Sequence, residues 1–231
     1  MKTKKMTKTV IGVLAGVLLL SLSATAQATL SPNLLVNGDF TSTTISDNAS
    51  GYLTSGQWYG SSTGWDLIST GGNPDPYAKL VTVNSVQHLI QAVELKTALP
   101  GYTATKGPVQ VSFDYQASGL NLGQTYVNLY GSDNQPQYGN YGTLLGTISG
   151  TSFSKGKSTW TSISSSSLNW TDASKGYAWY TLDIYTKTQN KTGNYFWVDN
   201  VNVQVTPIPA AVWLLGSGLI GLAVLRRRAK T

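Results

Sequence analysis

From Val109 to Gln116 the chain reads Val-Gln-Val-Ser-Phe-Asp-Tyr-Gln, with apolar and polar residues in strict alternation. Successive side chains of an extended strand point to opposite faces, so such a segment buries one face only. Val109, Val111, Phe113 and Tyr115 are expected inside, and Gln110, Ser112, Asp114 and Gln116 outside. The pattern recurs over 125–131, with Val127 and Leu129 inward and Tyr126, Asn128 and Tyr130 outward. Over 177–186 it predicts Ala178, Tyr180, Leu182 and Ile184 inward and Tyr177, Trp179, Thr181, Asp183 and Tyr185 outward. Further strands are expected over 33–40, 78–83, 87–95 and 194–205. In the last of these the apolar parity slips between Phe196/Val198 and Val201/Val203/Val205, which predicts a bulge at Asp199–Asn200. Stretches 41–64, 131–142 and 149–176 are rich in Ser, Gly and Asn and read as long loops. Many short one-faced strands without a sustained helical period predict an all-β domain over 29–206, a single β-sandwich of jelly-roll type.

The two ends differ in kind from this body. Four lysines precede an apolar run from Val10 to Ala24, and small residues stand at Ala26 and Ala28. This is the pattern of a signal peptide over 1–28, cleaved after Ala28 or, alternatively, after Ala26. At the other end, Ile208 to Leu225 are 18 residues without a charge. As a helix they span about 27 Å, close to the roughly 30 Å hydrocarbon core of a bilayer. Pro207 and Pro209 suit the helix start, and Arg226, Arg227 and Arg228 suit its cytoplasmic side. The run Gly-Ser-Gly-Leu-Ile-Gly at 216–221 matches a dinucleotide-binding pattern, but prolines precede it where a strand is needed. A transmembrane helix over 208–225 is the better reading.

The formal net charge of +6 is a property of these ends. Residues 29–206 hold eight lysines against ten acids, a net −2. No basic surface for a phosphate backbone is expected, and hence no nucleic-acid partner. The absence of cysteine excludes disulfides, thiol catalysis and thiolate metal sites. A single histidine, His88, is too few for the usual His-rich zinc site.

Catalytic patterns are weak. Gly60-Ser-Ser-Thr-Gly64 matches the nucleophile-elbow motif, but that motif works on a strand-to-helix turn and no helix is expected here. One glutamate and nine aspartates are scattered without a spacing that pairs two of them for glycoside hydrolysis. The body is therefore expected not to be an enzyme, with a secreted glycan-active hydrolase as the alternative. The aromatic content says more: six tryptophans and thirteen tyrosines fall within 29–206. Tyr126, Tyr130, Tyr177, Trp179 and Tyr185 share outward parity, as do Asp114, Gln116, Asn128 and Asp183. If their strands are neighbours, flat rings beside amides and carboxylates form a glycan-binding surface, with the 132–142 loop and its Tyr138 and Tyr141 as a rim. The alternative is cross-strand packing in a structural protein without a ligand.

The tail Pro207-Ile-Pro-Ala-Ala-Val-Trp-Leu-Leu-Gly-Ser-Gly-Leu, its hydrophobic helix and its arginine cluster resemble the PEP-CTERM sorting signal, in the variant beginning Val-Pro-Leu-Pro-Ala. This chain has Thr206-Pro-Ile-Pro209 where that variant has Val-Pro-Leu-Pro. The resemblance implies 207–231 as a sorting segment cut by an exosortase, a membrane-embedded cysteine protease and transpeptidase. It further implies a transient anchor in the inner membrane of a Gram-negative bacterium that makes exopolysaccharide or biofilm matrix. The mature protein would then reside at the cell surface or outside the cell. Within the body, Asn-Leu-Leu-Val-Asn-Gly-Asp-Phe at 33–40, Gly64-Trp65, Leu89-Ile-Gln-Ala-Val-Glu-Leu95 and Tyr195-Phe-Trp-Val-Asp-Asn-Val-Asn-Val203 resemble carbohydrate-binding-module jelly rolls of the galactose-binding-like type. That resemblance implies glycan binding and a structural calcium, with Asp199 as one ligand and Asn37 to Phe40 close by. The alternative role for Asp199 is to bend its strand.

Overall fold

A computed structural model describes residues 31–41, 44–47, 51–60, 64–73, 75–80, 86–98, 109–118, 125–150, 153, 157–165, 176–187 and 195–205. The expected signal peptide with Ala26 and Ala28, the helix at 208–225, the sorting residues Pro207, Pro209, Arg226, Arg227 and Arg228, and Ser62 lie outside the described residues. Among the described residues, no helix is long and apolar enough to cross a membrane.

The body is a β-sandwich of jelly-roll type, built from two sheets whose neighbouring strands are mostly distant in sequence. The six-stranded sheet runs β1 (Ser46–Asp47), β2 (Trp58–Gly60), β5 (Val86–Glu94), β10 (Trp179–Lys187), β7 (Thr125–Ser132), β8 (Thr143–Ser149). The five-stranded sheet runs β3 (Trp65–Ile68), β4 (Tyr77–Leu80), β11 (Tyr195–Val205), β6 (Val109–Ser118), β9 (Lys157–Ser164). A single helical turn, α1 (Leu95–Ala98), follows β5. β1 pairs parallel with β2; the other pairings are antiparallel.

The alternation of β6 places Val109, Val111, Phe113 and Tyr115 in the core against Val127, Leu129, Tyr180, Leu182 and Ile184 of the facing sheet. Phe113, Tyr115, Phe153 and Phe196 form a ring cluster there, with centroids 5.1–6.3 Å apart. Full burial of such a side chain is worth about 1.5–3 kcal/mol, so the two inner faces supply most of the driving force. The register of β11 on β6 shifts between Asp199 and Asn202. Asn200 takes φ 50° there, so the bulge expected from the parity slip is present.

Three expectations are corrected. Residues 33–40 are turns and bends, not a strand. Leu34 and Leu35 are adjacent yet both buried, which a period of two forbids, and Asn37 and Phe40 have φ of 55° and 56°. Side-chain amides replace ladder bonds in holding this segment. Asn33 Oδ1 accepts from Leu35 N and Val203 N, at 3.1 and 2.9 Å, while its Nδ2 donates to Val201 O at 2.9 Å. The buried Gln91 amide accepts from Val36 N and donates to Val36 O, both at 2.8 Å. Backbone bonds Ser31 N to Val205 O, Leu34 N to Val203 O and Val201 N to Gly38 O, at 2.8–2.9 Å, complete a seam along β11. Second, Tyr177 is in the core and Ala178 is exposed. Gly131 leaves room for the Tyr177 ring, whose Cδ2 would lie 2.4 Å from a Cβ at that position. Third, β1 and β2 lie in the 41–64 stretch read as loop, as β9 does in the 149–176 stretch; β9 is the long one. Its Lys-Ser-Thr-Trp-Thr-Ser-Ile-Ser sequence is too polar to announce a strand, but it pairs with β6.

The seam on β11 is close-fitting. A Cβ on Gly38 would sit 1.9 Å from the Val201 carbonyl oxygen, a backbone atom that cannot rotate away. Gly38→Ala is expected to cost about 2–4 kcal/mol and to lower the melting temperature by roughly 5–15 °C. Thermal denaturation checks this, and an unchanged melting temperature would contradict the seam as described.

Candidate functional site

The outward face of the six-stranded sheet is organised by β10, which lies between β5 and β7. Its register sets His88, Tyr185 and Tyr126 in one cross-strand row. The next row holds Ile90, Asp183 and Asn128, and the one after it Ala92, Thr181 and Tyr130. The loop from Tyr138 to Gly142 folds over this face and walls an open cleft of about 460 Å³. Its floor is His88, Tyr126, Asn128, Tyr130, Asp183 and Tyr185, with Tyr138, Asn140 and Tyr141 on the wall. Small-molecule sites typically occupy about 300–1,000 Å³.

The floor is polar and ordered by hydrogen bonds. His88 Nδ1 lies 2.9 and 3.1 Å from the two carboxylate oxygens of Asp183. An ionised carboxylate only accepts, so Nδ1 carries the hydrogen, and in the neutral ring Nε2 is then the acceptor. Thr147 Oγ1 donates to Asn128 Oδ1 at 2.8 Å, which fixes that amide and turns its NH₂ toward the Tyr130 hydroxyl. Rings enclose these groups: His88 meets Tyr185 edge-on at 5.1 Å, and Tyr126 lies 5.7 Å from Tyr185. Burial, then the negative charge of Asp183, pushes the hydroxyls of Tyr130 and Tyr141 above the ordinary phenol range. Both therefore stay protonated as donors at neutral pH.

Of the residues expected from sequence to contact glycan, Tyr126, Asn128, Tyr130 and Tyr185 come together here. Tyr138 and Tyr141 form the expected rim. Trp179 shares the face but packs against a satellite cluster of Leu53, Tyr59, Ile90, Ala92 and Tyr141 instead of lining the cleft. Asp114 and Gln116 belong to β6, on the outward face of the other sheet. Parity assigns a residue to a face of its strand, not to a sheet, and the outer faces of a sandwich look in opposite directions. His88 is the member that sequence reasoning did not place in the site. Its partner Asp183 is 95 residues away, and only the β5–β10 register joins them. The Gly60–Gly64 motif connects β2 to β3, so a strand follows where the nucleophile elbow needs a helix.

Asp199 lies under the bulge and is fully buried. Its Oδ2 accepts from Asn73 N at 2.6 Å and its Oδ1 from Asn200 N at 2.7 Å. Asp114 is nearby, accepting from Asn200 Nδ2 at 2.9 Å, from Asn73 Nδ2 at 3.3 Å and from Ser162 Oγ. Both Asp199 oxygens are thus engaged by backbone N–H groups. Among the described residues, no three His, Cys, Asp or Glu side chains converge in a metal-binding group. The Asp199 bonds anchor the bulge to Asn73.

No family model and no curated protein matches the chain. Solved structures similar to it include the Stig cyclase Fisc from Fischerella sp. TAU, at 10% identity and TM-score 0.48, covering 78% of this chain and 99% of that one. They also include the K1 cleaved adhesin domain of Lys-gingipain from Porphyromonas gingivalis W83, at 14% identity and TM-score 0.39, covering 65% and 90%. A third is the CBM22-1 xylan-binding domain from Paenibacillus barcinonensis, at 9% identity and TM-score 0.35, covering 73% and 99%. Identities this low transfer no residue role to the cleft.

Burial pushes the Asp199 carboxyl up to about 6 from 3.8; N–H bonds from Asn73 and Asn200 oppose this, and the charges of Asp114 and Asp39 add to it. A carboxyl raised in the fold holds its proton more tightly than in the unfolded chain. Its contribution to stability is therefore full below about pH 4 and is lost as pH rises through about 6, amounting to roughly 3 kcal/mol at most. Thermal melts between pH 4 and 7 are expected to show that decline in the wild type and a shallower one in Asp199→Asn. A calcium ion on Asp199 would reverse the sign, because a cation favours the carboxylate, and melts with and without calcium at pH 7 separate the two cases.

Proposed function

We propose that this chain is an exported, exosortase-sorted protein of the cell surface or extracellular matrix whose β-sandwich binds exopolysaccharide without catalysing a reaction. The observation that carries the binding part is the open cleft in which Tyr126, Tyr185, Asn128 and the His88–Asp183 pair meet. Phenol rings offer flat apolar faces to sugar C–H groups, while amide, imidazole and hydroxyl groups bond sugar hydroxyls directionally. Held Nδ1-to-carboxylate, His88 serves here to position a hydrogen-bond acceptor. The sorting part rests on the two ends of the sequence: the signal peptide exports the chain, the 208–225 helix halts it in the inner membrane, and the arginines fix its orientation. Exosortase cleavage near Pro207–Pro209 then releases the body outward.

A ligand-free structural role has one observation in its favour, since the cleft rings also pack on one another. Affinity electrophoresis of the full-length chain in neutral detergent, through gels containing exopolysaccharide, separates the two. Tyr126→Ala and Tyr185→Ala are expected to weaken retardation about tenfold each, near 1.4 kcal/mol, while Gln110→Ala on the opposite sheet leaves it unchanged. A wild-type chain that migrates freely through every glycan gel supports the structural role instead. For sorting, intact-mass measurement of the mature protein is expected to show an N-terminus at Thr29 or Gln27 and loss of the tail near Pro207–Pro209. A mature mass retaining both ends would refute it.

A further inference from the structure

The charge of the cleft restricts the sugars that it can accept. Building on the reading of the cleft as a glycan site, we infer that its ligand is an uncharged polysaccharide and that Asp183 excludes chains bearing uronate or other anionic groups. Asp183 is buried at the centre of the floor, 2% exposed, where little water screens it. Neither lysine nor arginine is among the residues lining the cleft. Asp183 is the one acidic residue among them.

The hydrogen-bonding groups agree with this charge. Asp183 takes the Nδ1 hydrogen of His88, so Nε2 presents a lone pair. A sugar hydroxyl can donate to it, whereas a carboxylate would set its own lone pairs against it. The donors on offer are phenol hydroxyls and the amides of Asn128 and Asn140, all of them neutral.

The test compares binding of the full-length chain, in neutral detergent at pH 7, to a neutral β-glucan and a galactomannan and to alginate and polygalacturonate. A neutral chain is expected to bind at least about tenfold more tightly than either polyuronate. Polyuronate binding should strengthen as salt is raised, since salt screens repulsion, while binding of neutral chains stays flat. Asp183→Asn is expected to narrow the gap and remove the salt response. Should that variant fail to fold, Asn128→Asp, which adds a second carboxylate, is expected to widen the gap and steepen the response. Equal or tighter binding of polyuronates at low salt overturns this inference and leaves the glycan reading standing. Binding of no polysaccharide at all overturns both.

Discussion

The register of β10 between β5 and β7 is the constraint on which the candidate site depends. The ladder sets Tyr185 opposite both His88 and Tyr126, and Asp183 opposite both Ile90 and Asn128. A slip of one residue would send Asp183 and Tyr185 into the core and bring Leu182 and Ile184 out. The apolar packing of Tyr180, Leu182 and Ile184 against β6 and β11 therefore fixes the chemistry of the opposite face. The His88–Asp183 pair is placed by the hydrophobic core beneath it, not by its own attraction.

Buried amides and a carboxylate have a comparable role where the chain is irregular. Asn33, Gln91, Asp199 and Asn200 bond main-chain groups where the chain leaves the ladder. Buried backbone groups left without partners are costly, so each amide or carboxylate permits one irregularity that alternation alone would forbid. Above the bulge, Tyr77, Trp160, Tyr195 and Trp197 pack on one another at 4.6–6.5 Å, and Trp160 Nε1 donates to Gly71 O at 3.1 Å. These rings cover the outer face of the five-stranded sheet and tie the 69–75 loop to it.

Much of this was legible in the sequence, for a physical reason: period-two patterning reports which face of a strand meets the core. It gave the inward residues of β6 and β7, most of those of β10, and the bulge in β11. It also gave Tyr126, Asn128, Tyr130 and Tyr185 as outward residues. It was silent on sheet membership, which put Asp114 and Gln116 with the wrong neighbours. It missed the 33–40 segment, where side chains do the bonding of a ladder, and β9, whose outward face is as polar as a loop. His88 could be joined to Asp183 only by a pairing across more than half the domain.

The seam between the 31–38 segment and β11 has a mechanical consequence. Ser31 bonds to Val205, Leu34 to Val203 and Gly38 to Val201, so the first and last described residues lie side by side at one end of an antiparallel seam. A force pulling those residues apart would act along the hydrogen bonds and open them singly, like a zipper, rather than shearing them together. A tether attached at one end alone never loads that seam. A chain held from both ends in a stretched matrix would give way there first and unravel from its N-terminal segment.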